Sequence, residues 1–302
     1  MIARRSLAAR EGLIGTLFIA PWLIGFLVFS LGPMLASLYL SFCKYDLHAM
    51  QWVGAENYRR LLTTDPLFWR ALQNTIIYVA FSVPLGLAGS LAIAILLNQN
   101  VRGQRFFRTL FYLPSLVPAV ASSLLWLWVL NSENGLLNHC LMVLGLSHRA
   151  CPRWLEDPVW TLPAFVLMSL WGVGGARMII FLAGLQGISE SYYEAAYIDG
   201  ASPWQKFCYI TIPMLSPTIF FNLILGIIGS FQVFTSAYIM TSGGPGNASL
   251  FYVLYLFRNA FEYFKLGKAS AMAWILFAIL LGFTVVQFKH AKRWVHYEAA
   301  HD

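Results

Sequence analysis

The chain has 302 residues, of which 59% are apolar, 16% aromatic and only 11% charged, where a soluble domain carries about 25% charged residues. So few charges exclude a water-soluble globule. The formal net charge of +7 suits a protein beside anionic headgroups and implies no nucleic-acid partner.

The apolar residues fall in long blocks, and a helix needs ~20 residues to cross a hydrocarbon core of ~30 Å. The first block, 13–42, follows Arg4, Arg5 and Arg10. It is about twice as long as the ~7–15-residue core of a secretory signal, so it reads as a first transmembrane helix. Further blocks lie at 71–97, 106–130, 162–185, 219–240 and 269–288. Each must be helical, because the bilayer offers no water to backbone amides. The expectation is an all-α polytopic membrane protein, a single transmembrane domain over 1–302 with six transmembrane helices. No Gly/Ser linker, low-complexity tract or internal repeat interrupts it.

An even number of spans places both termini on one side. With cytoplasmic termini, the inner segments carry ten Lys/Arg and the outer loops nine. The clusters Arg102, Arg105, Arg108 and Lys289, Lys292, Arg293 abut spans and tip the balance toward cytoplasmic termini.

Of the 13 Asp and Glu residues and six His, none lies well inside a block. Ion-coupled carriers generally need such groups in the membrane. No G-x-x-x-x-G-K-[ST] loop is present to hold ATP, and neither a metal constellation nor a Ser–His–Asp set stands out. The chain is therefore expected to hold no cofactor or metal, not to be an enzyme, and to take energy for uphill transport from another polypeptide. Among the four Cys, Cys140 and Cys151 share an outer loop; they bridge in an oxidising compartment or stay unpaired.

One stretch breaks the apolar rhythm. Residues 194–213 read EAAYIDGASPWQKFCYITIP, which predicts two short helices with a break. Ser191 and Glu194 have capping-box spacing, and Gly200 suits a left-handed C-terminal stop. Ser202 is a second N-cap, with Pro203 at the first helical position and Gln205 closing a second capping box. Pro213 is expected to stop that helix, and Ser216-Pro217 to start the next span. An amphipathic helix in the headgroup layer would carry Lys/Arg on its polar face. Glu190, Glu194 and Asp199 against Lys206 fit docking on a protein better.

Glu194-Ala195-Ala196, Gly200, Ile210, Ile212 and Pro213 resemble the E-A-A-x₃-G-x₉-I-x-L-P motif of binding-protein-dependent ABC importer permeases, with Ile212 in place of Leu. WVGAENYRRLL at 52–62, VRGQRFFRTLFYLPSLVPAV at 101–120, IIFLAGLQGI at 179–188 and SGGPGNASLFYVLYLFRNAFEYFKLGKASA at 242–271 are similar to the carbohydrate-uptake branch, the maltose-, lactose- and glycerol-phosphate-type permeases. The resemblance covers nearly the whole chain. It implies the type I importer permease fold, with a permease core over 71–290 and a cytoplasmic coupling loop over 187–214, in a bacterial inner membrane. It implies two ATPase subunits that bind ATP and Mg, a second homologous permease, an extracytoplasmic sugar-binding protein and a sugar substrate. By the same resemblance Glu194 meets a basic residue of the ATPase, Ala195 and Ala196 pack there and Gly200 makes the bend. Asp199 either caps locally or touches the partner.

A substrate path is sought on the fifth block, where Asn222, Gly226, Gly229, Ser230 and Val233 recur at helical spacing, with Gln232 and Thr235 nearby. That face lines a path or packs closely on another helix. Arg177 lies roughly ten residues, ~15 Å, from Gly187. A central Arg costs ~2.5–3.5 kcal/mol on insertion scales, so it should face a pore, another subunit or the carbonyls of the 172–175 bend. Trp126, Trp128 and Trp171 either stack on sugar faces or sit at the membrane interface.

Overall fold

The structure, a computed structural model, describes residues 2–46, 49–99 and 102–295. These form two compact units, the smaller from Met1–Asp65 with Leu256–Phe277 and the larger from Pro66–Tyr255 with Ala278–Asp302.

In the smaller unit the first apolar block forms α1 (Ile2–Phe26), a π-helical turn at Leu27–Leu31 and α2 (Gly32–Ser41). The chain leaves α2 into a two-stranded antiparallel hairpin, β1 (Cys43–Tyr45) and β2 (Met50–Trp52), with Cys43 opposite Trp52. This hairpin is a small addition to an otherwise helical architecture. It is too short to show as a period-2 pattern, and side-chain amides and hydroxyls hold it in place. Asn57 Nδ2 on α3 (Glu56–Thr63) donates to Ser41 O at 2.8 Å and Cys43 O at 2.9 Å, and Tyr58 OH donates to Ser41 Oγ at 2.8 Å. Arg59 and then Arg60 hydrogen-bond Glu56 in the first turn of α3, holding its carboxyl down at about 2. Lys268 and Asp65 form an ion pair at 2.6 Å.

The larger unit opens with α4 (Pro66–Asn98), 33 residues long, followed by α5 (Gln104–Tyr112), α6 (Ala119–Val129), α7 (Leu136–Val143), α8 (Pro158–Leu170) and α9 (Ala176–Gln186). Then come α10 (Glu190–Ile198), α11 (Pro203–Lys206), a π-helical turn at Phe207–Thr211, α12 (Ile212–Met214), α13 (Ser216–Phe231), α14 (Thr235–Met240), α15 (Tyr252–Phe257) and α16 (Leu266–Trp294). The division between units falls within α15 and α16.

Every predicted block is helical, yet the blocks are not six plain rods. Among the described residues four helices are long and apolar enough to cross a membrane, or five if one bent pair counts as a single span. That pair is the 106–130 block, bent by 95° between Gln104–Leu116 and Ala119–Val129. The cause is Pro118: it forces Val117 into an extended conformation (ψ 126°) and offers no amide to the helix. The 162–185 block is two half-helices, α8 and α9, separated by the glycine-rich break at 171–175. The fifth block also breaks, at 232–234, between α13 and α14.

Helices α4, α9 and α13 pack together at the centre of this unit. Ala94 and Leu97 of α4, Met178, Phe181, Leu182 and Leu185 of α9, and Leu215 form one buried cluster. The 242–251 segment is tied to α4 by buried polar groups: Asn74 Nδ2 donates to Asn247 O at 2.8 Å, and the Tyr252 amide donates to Thr75 Oγ1 at 2.9 Å. Cys140 and Cys151 are both free thiols.

A capped knob and a polar pocket as the candidate functional sites

The polar insert folds into a knob whose joints are closed by local chemistry. Helix α10 ends in a Schellman motif. Ala201 N–H donates to Ala196 O at 2.9 Å, Gly200 N–H donates to Tyr197 O at 3.1 Å, and Gly200 takes a φ of +75°. The second helix begins with the expected capping box: Gln205 N–H donates to Ser202 Oγ at 3.3 Å while Ser202 N–H donates to Gln205 Oε1 at 2.7 Å. Two cross-braces join the arms. Tyr193 OH and Thr211 Oγ1 are hydrogen-bonded at 3.0 Å, and Lys206 Nζ stands 5.0 Å from the centre of the Tyr197 ring.

Three local expectations are corrected. Helix α10 starts at Glu190 behind Ser189, which makes no side-chain cap bond, so Ser191 and Glu194 form no capping box. Ser191 Oγ instead bonds Ser189 Oγ at 2.8 Å. Pro213 does not stop the second helix, because the preceding turn widens to π geometry, with Ile212 N–H reaching back to Phe207 O. The widened turn absorbs the missing proline amide, and the chain passes into α13. Ser216 is not an N-cap either: its hydroxyl donates to Pro213 O at 2.6 Å.

Glu194 and Ala195 are exposed on α10, Ala196 is half-buried, and Asp199 is the C-cap, exposed and without a side-chain hydrogen bond among the described residues. Ile210 lies half-buried in the π turn and Pro213 half-buried in α12. The knob presents large side chains to the outside: Tyr197 is 76% exposed, Ile198 83% and Trp204 71%. Such a cluster of exposed apolar side chains is suited to contact with a protein or a membrane surface.

The second site is a cavity of about 370 Å³, lined by Tyr78, Ser82, Ser115, Ser169, Arg177 and Ser230 among others. Arg177 is the second residue of α9, just past the glycine-rich break. Its guanidinium lies over two bare helix surfaces. A Cβ on Gly86 of α4 would come 2.8 Å from Nη1, and one on Gly226 of α13 3.4 Å from Nη2. One turn along each helix stand Ser82 and Ser230 (i, i+4). Asn222, a turn below Gly226, is fully buried; its Nδ2 donates to Thr218 O at 3.0 Å, while Oδ1 has no partner among the described residues.

Of the residues expected on a path, Arg177 and Ser230 line the cavity, Gly226 adjoins it, and Asn222 lies deeper on the same face of α13. Gln232 caps the end of α13, is exposed and does not line the cavity. The lining from Tyr78, Ser82, Ser115 and Ser169 escaped the sequence reading, because these residues come from three separate elements brought together only by packing. Trp126 and Trp171 pack edge to face with centroids 6.0 Å apart, and Trp128 is exposed. No group of three or more His, Cys, Asp or Glu suited to a metal occurs among the described residues.

Helices built for a bilayer, an exposed capped knob and a polar cavity between helices fit a membrane transport subunit. Residues 82–294 match the family described as binding-protein-dependent transport system inner membrane component. The chain is 44% identical over 294 residues to the probable ABC transporter permease protein YesP of Bacillus subtilis (strain 168), covering 96% of this chain and 94% of that protein. It is 35% identical to the lactose transport system permease protein LacF of Rhizobium radiobacter, covering 96% and 98%. In fold it resembles a chain from the crystal structure of a bacterial ABC transporter involved in the import of the acidic polysaccharide alginate, with a TM-score of 0.83 at 23% identity, covering 96% of this chain and 99% of that one. The chain belongs to the family of binding-protein-dependent inner-membrane components: it is a multi-pass ABC transporter permease, not the catalytic subunit.

Proposed function

We propose that this chain is one of two permeases of an ATP-driven saccharide importer of type I architecture. The bent pair α5–α6 and the half-helices α8–α9 each count as one span, which makes six; both termini then share a side, and the Lys/Arg clusters beside the spans make it the cytoplasm. The knob of α10 and α11 docks on one of two ATPase subunits, which bind ATP and Mg. An extracytoplasmic binding protein delivers the saccharide. A second homologous permease shares the path, and Arg177, Asn222, Gly226 and Ser230 form this chain's part of it.

The observation that carries the reading is the knob itself. A loop that transmits force must be stiff, and this one is closed by a Schellman motif, a capping box, a hydroxyl–hydroxyl bond and a cation–ring contact. Coupling requires contacts that differ between two states, and the exposed Glu194, Tyr197, Ile198 and Trp204 are placed to make them. The saccharide class rests on the 35% identity to the lactose permease LacF. Reconstitution in vesicles with the sister permease, both ATPases and the binding protein is expected to give ATP-dependent saccharide uptake. Uptake by this chain alone, or no saccharide uptake by the full assembly, overturns the reading.

A further inference from the structure

The cavity beside α9 holds a cation without a counter-ion. Arg177 makes no ion pair and no hydrogen bond among the described residues, and its guanidinium rests against glycine backbone on two sides. No Asp or Glu lines the cavity. A charge set this far into apolar helices is expensive unless something neutralises it.

Three further features of the same cavity suit an anion. First, α9 starts here: Gly175 is its N-cap, and the first turn of an 11-residue helix brings unpaired amides and the positive end of its dipole. Half-helices that begin mid-span are a general way to meet anionic cargo. Second, Ser82 lines the cavity and is only 4% exposed; among the described residues its Oγ makes no well-formed hydrogen bond, and the Tyr78 hydroxyl is the polar group beside it. A buried hydroxyl left unsatisfied costs free energy that a ligand oxygen would recover. Third, Tyr78 and Ser230 add hydroxyls to the lining, and Ser115 and Ser169, which donate to Tyr112 O and Val166 O, add oxygens that accept from the hydroxyls of a sugar ring.

We infer that Arg177, the α9 N-terminus and Ser82 form a subsite for an oxyacid group on the transported saccharide, so that the cargo is an acidic sugar such as a uronate-bearing oligosaccharide and not a neutral one. This inference rests on the saccharide-importer reading above. A planar guanidinium binds carboxylate in two-point fashion, while the hydroxyls hold the ring. A neutral sugar in the same place leaves the half-buried guanidinium without a counter-charge, so the site discriminates by penalty as well as attraction.

The test uses the complete importer in vesicles of phosphatidylcholine, where no anionic headgroup competes for the site. The probes are a galacturonate disaccharide and the neutral galactose disaccharide of the same linkage. Wild type is expected to take up the acidic disaccharide at least tenfold faster. Arg177→Gln is expected to abolish that preference, Arg177→Lys to restore part of it, and Ser82→Ala to raise the half-saturating concentration of the acidic probe several-fold. Co-purification of all subunits checks that each variant assembles. Faster uptake of the neutral probe by wild type, or full acidic uptake by Arg177→Gln, overturns the inference while leaving the importer reading standing. Uptake of neither probe, nor of any saccharide, by the wild-type assembly removes that reading itself.

Discussion

At Gly200 the backbone φ is +75°, and an added Cβ would meet nothing within 4 Å. A side chain is therefore opposed by conformation alone, at about 1 kcal/mol. Gly200→Ala is expected to leave membrane insertion and assembly intact and to lower ATP-coupled uptake several-fold, by loosening the joint between α10 and α11. Uptake at wild-type rates in reconstituted vesicles would remove the joint from the mechanism. Gly200 and Ser202 were legible in the sequence because a left-handed stop and an N-cap are chemistry of a few neighbouring residues. Ser82, Ser115 and Ser169 were not, because each is an ordinary serine until α4, the turn after α5 and α8 bring them to one cavity.

Elements behaved differently from residues. Length and hydropathy located all six apolar blocks, since a bilayer demands apolar helix wherever the chain crosses it. Apart from the 172–175 bend, which the glycines announced, they did not show how the helices break. Pro118 bends one block by 95°, and the glycines at 172, 174 and 175 split another. Pro213, read as a stop, is carried through by the π turn at Phe207–Thr211. If that proline holds the turn, supplying an amide should let the helix tighten. One residue of register is ~100° of rotation at 3.6 residues per turn, enough to move Tyr209, now 78% exposed, off its face. Adding Pro213→Ala to a Tyr209→Cys protein is expected to slow labelling by a water-soluble maleimide several-fold. Unchanged labelling would show the wide turn to be held by something other than the proline.

For the molecule as a whole, the first span stands apart. None of the apolar window of Ile14–Ser41 is buried, and Phe18 and Trp22 project outward. Lipid tails satisfy such a face, but they give no specific packing. We propose that the sister permease covers part of it. Phe18→Cys, combined with a cysteine scan of that subunit, is expected to give an oxidised heterodimer at a few positions spaced three or four apart. Reaction with lipid-soluble probes alone would place this helix at the periphery.

The split of the fourth block carries a last consequence. Helix α9 leads into α10 through only residues 187–189, so the motor's handle and the cation at its far end ride on one rod ~16 Å long. If α10 docks on the ATPase as proposed, a pull on it by nucleotide closure would reach Arg177 as well. On the reading proposed above, release of the passenger would be geared to the stroke without a separate latch to time it.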